Sequence, residues 1–316
     1  MPVDAVVVDG RPGLTWMNMS GIELKEPFFQ QTVDRVREQE PWRDAGLFTE
    51  FDALLQLDQL LARVEPAGFI FHSSRCGSTL VANGCRALDN AIVLSEANAI
   101  EKLLARFITD GGDPVKESLY SVLLRAVVNA LAHRGRDDVR VFVKFSPCGI
   151  SQLERIRRIW PDVPWVFLYR DPVETIVSNM TTVPAWLLDE DHRILAHITG
   201  TTPADVAEMS LEERCARSIG NFFATAHSLA NDNSLLLNYN QLSLTSILDF
   251  FNVSPSAEEL DRIASGSRIY SKEVAGVREF VPDAEVKQKS ASDRVRQLAQ
   301  QFAMGPYNLL EHGEGL

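Results

Sequence analysis

Two spacings of apolar residues divide this chain. Up to about residue 66 the apolar positions recur three to four residues apart, whereas beyond Gly68 they gather into short unbroken runs separated by helical patterns. In the first stretch Gly10, Pro12, Gly13 and Pro27 predict an irregular start, followed by helical patterns near Phe28–Glu38 and Phe51–Val64. Within the second of these, Phe51, Leu54, Leu55, Leu57, Leu60, Leu61 and Val64 predict an amphipathic helix packed on a partner, ended by Pro66-Ala67-Gly68. Residues 1–66 therefore read as a helical N-terminal extension without chemistry of its own, docked on a main domain of residues 67–316.

In the main domain the apolar runs predict strands at Phe69–His72, Ile92–Leu94, Val141–Lys144, Trp165–Tyr169 and Leu235–Asn238. Helical patterns between them cover Thr79–Leu88, Val115–Arg134, Ser151–Trp160, Val173–Met180 and Leu211–Ala230. This alternation predicts an α/β fold of three layers, with a mostly parallel sheet of about five strands flanked by helices. Such sheets bind ligands beyond the carboxyl ends of their strands, so residues at those ends are the candidates for chemistry.

Composition narrows the function classes. The chain has 316 residues, 45% hydrophobic and 23% charged, as in an ordinary globular protein, and its net charge of −12 opposes wrapping on nucleic acid. Its four cysteines, Cys76, Cys85, Cys148 and Cys215, lack C-x-x-C spacing, and His192 and His197 are off the i, i+4 spacing, so no metal site or disulfide framework is expected. The start MPVDAVVVDG lacks a basic segment before an apolar run, and no window nears the roughly 18 apolar residues of a membrane span. A cytoplasmic protein with no membrane span is the expectation.

The run Gly68-Phe69-Ile70-Phe71-His72-Ser73-Ser74-Arg75-Cys76-Gly77-Ser78-Thr79-Leu80-Val81 predicts a strand, a tight turn and a helix start. Backbone N–H groups at a helix start have no partner in their own helix, and the helix dipole adds positive charge there. Gly77 lets the backbone approach an anion closely, so the segment forms a cradle for phosphate or sulfate. A nucleotide triphosphatase loop would place Lys before its last hydroxyl residue, where Gly77 stands here, and the cation of this loop is Arg75. Cys76 precedes no loop arginine and reads as a small residue filling the turn.

A second marker is Tyr169-Arg170-Asp171-Pro172 at the end of an apolar strand. Asp171 can cap the next helix, Pro172 suits its first turn, and Ser178 lies eight residues beyond Arg170. An arginine with a nearby hydroxyl clamps a phosphate well, and an Arg-Asp helix cap is the plainer alternative.

As an ordered pair, S-x-R-x-G-S-T after a first strand and R-D-P with its serine resemble the sulfotransferases that use 3′-phosphoadenosine 5′-phosphosulfate (PAPS). The arginine in the loop looks most like the tyrosylprotein and carbohydrate branches. The resemblance covers residues 68 to 240. It implies that Ser74, Arg75, Cys76, Gly77, Ser78 and Thr79 hold the 5′-phosphosulfate and that Arg170 and Ser178 hold the 3′-phosphate. It further implies Glu96 as general base, Lys144 as a cation on the transferring sulfate beside Arg75, and 3′,5′-ADP as the product. Sulfuryl transfer to a hydroxyl requires those types: a base for the acceptor proton and cations for the developing charge. Tyr239 resembles the strand-end tyrosine near the nucleotide, although Asn240 and Gln241 replace the two acids that follow it in the family. Arg268, Lys272, Lys287 and Lys289 resemble a basic segment that closes over the nucleotide.

The acceptor implied is a hydroxyl-bearing sugar, lipid, phenol or peptide tyrosine, with specificity expected in a helical insert around Pro184–Leu211 and, as a second place, in the N-terminal extension. Two rivals stand beside it. One is a P-loop kinase-like phosphotransferase with Asp171 holding magnesium; the other is a nucleotide-binding protein without turnover. His72 reads as a packed strand-end residue, with a role as base the lesser alternative.

Overall fold

The computed structural model describes residues 1–133, 139–267, 269–270, 278–279 and 284–313. The first elements are β1 (Pro2–Val8), β2 (Arg11–Trp16), α1 (Phe29–Gln39), β3 (Leu47–Glu50) and α2 (Phe51–Asp58). The three strands form an antiparallel sheet in the order β1-β2-β3, so the start expected to be irregular is a hairpin. Its turn residues Asp9 and Gly10 have φ of 50° and 76°, the left-handed pair that a two-residue hairpin turn requires. Both helices expected here are present. However, α2 stops at Asp58, because Asn129 binds both Asp58 and the Val64 amide (2.8 and 2.7 Å) and draws the chain back, leaving Leu60 83% exposed.

The remaining chain alternates strand and helix: β4 (Gly68–His72), α3 (Ser78–Arg86), β5 (Ala91–Ser95), α4 (Asn98–Thr109), α5 (Pro114–Ala132), β6 (Arg140–Lys144), α6 (Leu153–Ile159), β7 (Trp165–Tyr169) and α7 (Pro172–Thr181). After the insert helices α8 (His192–Thr199) and α9 (Pro203–Glu208) come α10 (Leu211–Ser228), β8 (Ser234–Asn238), α11 (Leu244–Phe250) and α12 (Ala257–Ser267). A ribbon of β9 (Ile269–Tyr270) and β10 (Arg278–Glu279) precedes α13 (Ala284–Ser290), α14 (Asp293–Phe302) and α15 (Met304–His312).

Strands β4 to β8 make one parallel five-stranded sheet in the order β5-β6-β4-β7-β8. Both central strands are buried along their whole length, as continuous apolar runs covered on two faces must be. Alternation along β4 sends Phe69 and Phe71 into a layer with Phe145, Trp160 and Trp165, where Phe71 stacks on Phe145 at 4.7 Å. Ile70 points to the opposite layer, with Val81, Phe142, Val166 and Leu168. Val3, Leu14, Phe29, Val33 and Leu54 of the N-terminal stretch join the first layer's cluster with Leu103, Phe107 and Leu123. Among the described residues no helix is long and apolar enough to cross a membrane.

Candidate functional site

Because the five strands run parallel, their carboxyl ends lie along one rim. The turn between β4 and α3 occupies its middle. Ser74, Arg75 and Gly77 have φ of 76°, 54° and 81°, and each left-handed non-glycine residue costs on the order of 1 kcal/mol or more unless its surroundings hold it. The surroundings do so. The Ser74 amide donates to His72 Nδ1 (3.1 Å), Ser74 Oγ donates to Asn179 Oδ1 (2.9 Å), and Cys76 Sγ donates to the Leu168 carbonyl (3.0 Å). Arg75 donates from Nε to Asn179 Oδ1 (3.2 Å) and from its terminal nitrogen to the Thr182 carbonyl (2.7 Å), so its guanidinium is anchored at the end of α7. Gly77 caps α3 without a side-chain hydrogen bond, and Ser78 and Thr79 sit buried in the first turn. A helix start lacking a side-chain cap, behind a turn held in left-handed conformation, fits an anion.

Next to it, β7 delivers Arg170, 4% exposed, to the rim. Asp171 caps α7 by accepting from the Glu174 amide (3.1 Å), and Pro172 opens the helix. Arg170 Nε donates to Glu174 Oε2 at 2.6 Å, and its guanidinium lies 4.6 Å over the ring of Tyr239, which follows β8. Ser178 is half-buried on the same helix. Gln288 of α13 donates to Asp171 Oδ1 (2.9 Å) and Glu174 Oε1 (3.4 Å), which brings the C-terminal helix carrying Lys287 and Lys289 beside Arg170. Lys289 is exposed and pairs with Glu285 at 3.4 Å. Arg268 and Lys272 lie outside the described residues.

On the other side of the turn, Lys144 ends β6 and Glu96 follows β5. The Lys144 ammonium pairs with Glu96 Oε1 and lies 5.1 Å from the ring of Phe28, while the Glu96 amide donates to the Lys144 carbonyl at 2.7 Å. Lys144 is 1% exposed. His72 Nε2 stands 3.6 Å from the same carboxylate oxygen. Since His72 Nδ1 accepts from Ser74, the neutral ring carries its proton on Nε2 and points it at Glu96. Burial pushes the Glu96 carboxyl up, but the Lys144 charge and His72 outweigh it and hold the group down at about 2. Glu101 on α4 shows the reverse balance. Burial raises it to about 7 although Ser146 donates to it through both amide (2.8 Å) and hydroxyl (2.5 Å).

The structure thus gathers Glu96, Lys144, the 74–79 turn, Arg170 and Tyr239 on one rim, with Ser178 on the adjoining helix. Sequence reasoning missed Asn179, Glu101, Gln288 and Phe28. The one available signal was for Asn179, an amide directly after Ser178 on a helix already tied to the site.

No family model and no curated protein matches the sequence. Solved structures to which the chain is similar include the mouse sulfotransferase SULT7A1 complexed with PAP, at 14% identity and a TM-score of 0.43, covering 85% of this chain and 93% of that one. A sulfotransferase domain from the curacin biosynthetic pathway aligns at 16% identity and a TM-score of 0.40, covering 76% of this chain and 98% of that one. Sulfotransferase STF1 from Mycobacterium tuberculosis H37Rv aligns at 12% identity and a TM-score of 0.42, covering 85% and 81% respectively.

Proposed function

We propose that this protein transfers a sulfuryl group from PAPS to a hydroxyl acceptor. The observation that carries the reading is the order of groups along the rim. The strand order β5-β6-β4-β7-β8 sets out Glu96, Lys144, the anion turn, Arg170 and Tyr239 in that sequence. The same order serves an acceptor proton, a sulfuryl group, a 5′-phosphate and a 3′-phosphorylated nucleoside lying across the sheet. The amides of residues 76–79, with the Ser78 and Thr79 hydroxyls, would hold the phosphosulfate, on a turn braced by Ser74 and Arg75. Arg170 and Ser178 would hold the 3′-phosphate, with Tyr239 beside them.

In the reaction the acceptor oxygen forms a bond to sulfur as the bond from sulfur to the 5′-phosphate oxygen breaks. The acceptor proton passes to Glu96, and the electron pair of the broken bond leaves on 3′,5′-ADP. At about 2, the resting carboxylate is a weak base. Lys144 resolves this difficulty: as its ammonium turns toward sulfuryl oxygens, its hold on Glu96 weakens, and burial then raises the carboxyl into the range where it accepts a proton. Lys144, the turn amides and the nearby charge of Arg75 stabilise the negative charge developing on the transferring group and on the departing oxygen. Among the kinase-like alternative's requirements is a magnesium-holding Asp171. Here that carboxylate caps α7 and accepts from Gln288, which disfavours it.

The test is titration calorimetry followed by turnover. Binding of 3′,5′-ADP at micromolar concentration without magnesium is expected, and magnesium-dependent ATP binding with no 3′,5′-ADP signal sinks the reading. With PAPS and a panel of sugars, lipids, phenols and tyrosyl peptides, Glu96→Gln should keep 3′,5′-ADP binding and lower kcat about 10²- to 10⁴-fold. A wild type that binds 3′,5′-ADP yet sulfates nothing in the panel favours a binding protein without turnover.

A further inference from the structure

Asn179 lies on α7 directly after Ser178 and is completely buried. Its Oδ1 accepts from Ser74 Oγ and from Arg75 Nε, and its Nδ2 donates to Cys215 Sγ on α10 at 3.5 Å. Ser74 and Arg75 are the two non-glycine residues of the anion turn in left-handed conformation. One amide from a different strand–helix unit therefore grips both strained residues of the turn, across more than 100 positions of sequence. We propose that Asn179 is a positioning residue that keeps the anion turn in its binding conformation and fixes its distance from Ser178, one residue away. It thereby sets the spacing at which the two anionic ends of one nucleotide are read. The inference rests on the PAPS reading for the identity of that nucleotide, though not for the grip on the turn.

The residue type suits this task. A carbonyl oxygen with two lone pairs can accept from a hydroxyl and a guanidinium together, and the opposite end of the amide finds a sulfur acceptor, so both ends of the side chain are partnered in a dry site. A carboxylate there would accept the same two hydrogen bonds but place a negative charge beside an anion cradle. A shorter side chain would leave Ser74 and Arg75 without the partner that offsets their backbone strain.

Hydrogen–deuterium exchange of the ligand-free protein, read at amides 74–79 and, as an internal reference, in α5, separates this grip from simple packing. Asn179→Ala is expected to speed exchange of the turn about tenfold with α5 unchanged, and to weaken 3′,5′-ADP binding by about the same factor, the size of one lost buried hydrogen-bond partner. Asn179→Asp, which keeps the acceptor oxygens, should restore slow exchange of the turn while 3′,5′-ADP binding stays weak. Should Asn179→Ala fail to fold, Ser74→Ala removes one of the two contacts from the other side and should speed exchange of the turn alone. Turn exchange at the wild-type rate in the alanine variants, or faster exchange throughout the molecule, overturns the proposal. If the wild type binds no 3′,5′-ADP, the donor reading fails by itself, and turn exchange still decides whether Asn179 holds the turn.

Discussion

At Glu96, burial and a buried cation act on one carboxyl in opposite directions, and the cation wins. The depressed pKa means that the charged form is favoured by folding. Its contribution to stability is present above the ordinary carboxylate value of 4.5 and disappears as the pH falls toward 2. Lys144→Met reverses the sign by leaving a partly buried carboxylate without its ammonium. The variant should lose about 3–5 kcal/mol at pH 7, the usual consequence of breaking a buried pair from one side, and the deficit should shrink as the pH is lowered and Glu96 takes up a proton. Urea unfolding at several pH values reads this directly; a deficit constant with pH contradicts the pairing. None of this was legible in the sequence beyond the residue types. Glu96 and Lys144 were singled out through the family resemblance, at strand ends, whereas their pairing depends on β5 and β6 being neighbours, which no local pattern encodes.

At the scale of elements, the strand–turn–helix unit from Gly68 to Arg86 was readable because its signals are local: an unbroken apolar run, then a glycine where the backbone must turn. Gly77 has a φ of 81°, and a Cβ there would come within 3.0 Å of Leu242 and 3.2 Å of Tyr239. Gly77→Ala should therefore lose about 1–2 kcal/mol through the left-handed conformation and weaken 3′,5′-ADP binding as the turn shifts. Thermal unfolding with calorimetric titration checks both effects, and unchanged affinity would separate the glycine from the cradle. The N-terminal sheet escaped notice for two reasons. The glycines and prolines around Asp9-Gly10 masked a hairpin turn that the dipeptide itself announces, and β3 pairs with β2 across more than thirty residues. The overlong second helix has a similar origin, since only the long-range bonds from Asn129 stop it at Asp58.

Across the whole molecule, segments distant in sequence complete the rim from both ends. The C-terminal helices lie over α10 and β8. Gly220 of α10 leaves room for the Phe302 carbonyl, and Asn238 at the end of β8 donates to Tyr307 Oη (2.9 Å) and Glu311 Oε1 (2.8 Å). A Cβ on Gly220 would collide with that carbonyl. Gly220→Ala should thus destabilise by about 1–3 kcal/mol, as overpacking against backbone does. It should also weaken 3′,5′-ADP binding, because α13, which reaches Asp171 and Glu174 through Gln288, leads into the displaced helices. Melting temperature and calorimetry test the two parts separately.

From the other end, the N-terminal stretch brings Phe28 to Lys144, and Gln30 accepts from Asn98 of α4 at 2.8 Å. The N-terminal stretch, expected to carry no chemistry of its own, therefore borders the side of the rim where the proposed acceptor hydroxyl would meet Glu96, away from the proposed nucleotide end at Arg170. That geometry separates the two substrates. Phe28→Ala removes an aromatic face over the Lys144 ammonium, worth about 0.5–2 kcal/mol, and opens the wall next to Glu96. Acceptor KM should rise about three- to tenfold while the Kd of 3′,5′-ADP, which lacks the sulfuryl group that Lys144 is proposed to meet, stays within about twofold. Steady-state kinetics with the acceptor varied at saturating PAPS, beside calorimetry with 3′,5′-ADP, measures the split. A loss confined to nucleotide affinity would remove the N-terminal stretch from the acceptor side.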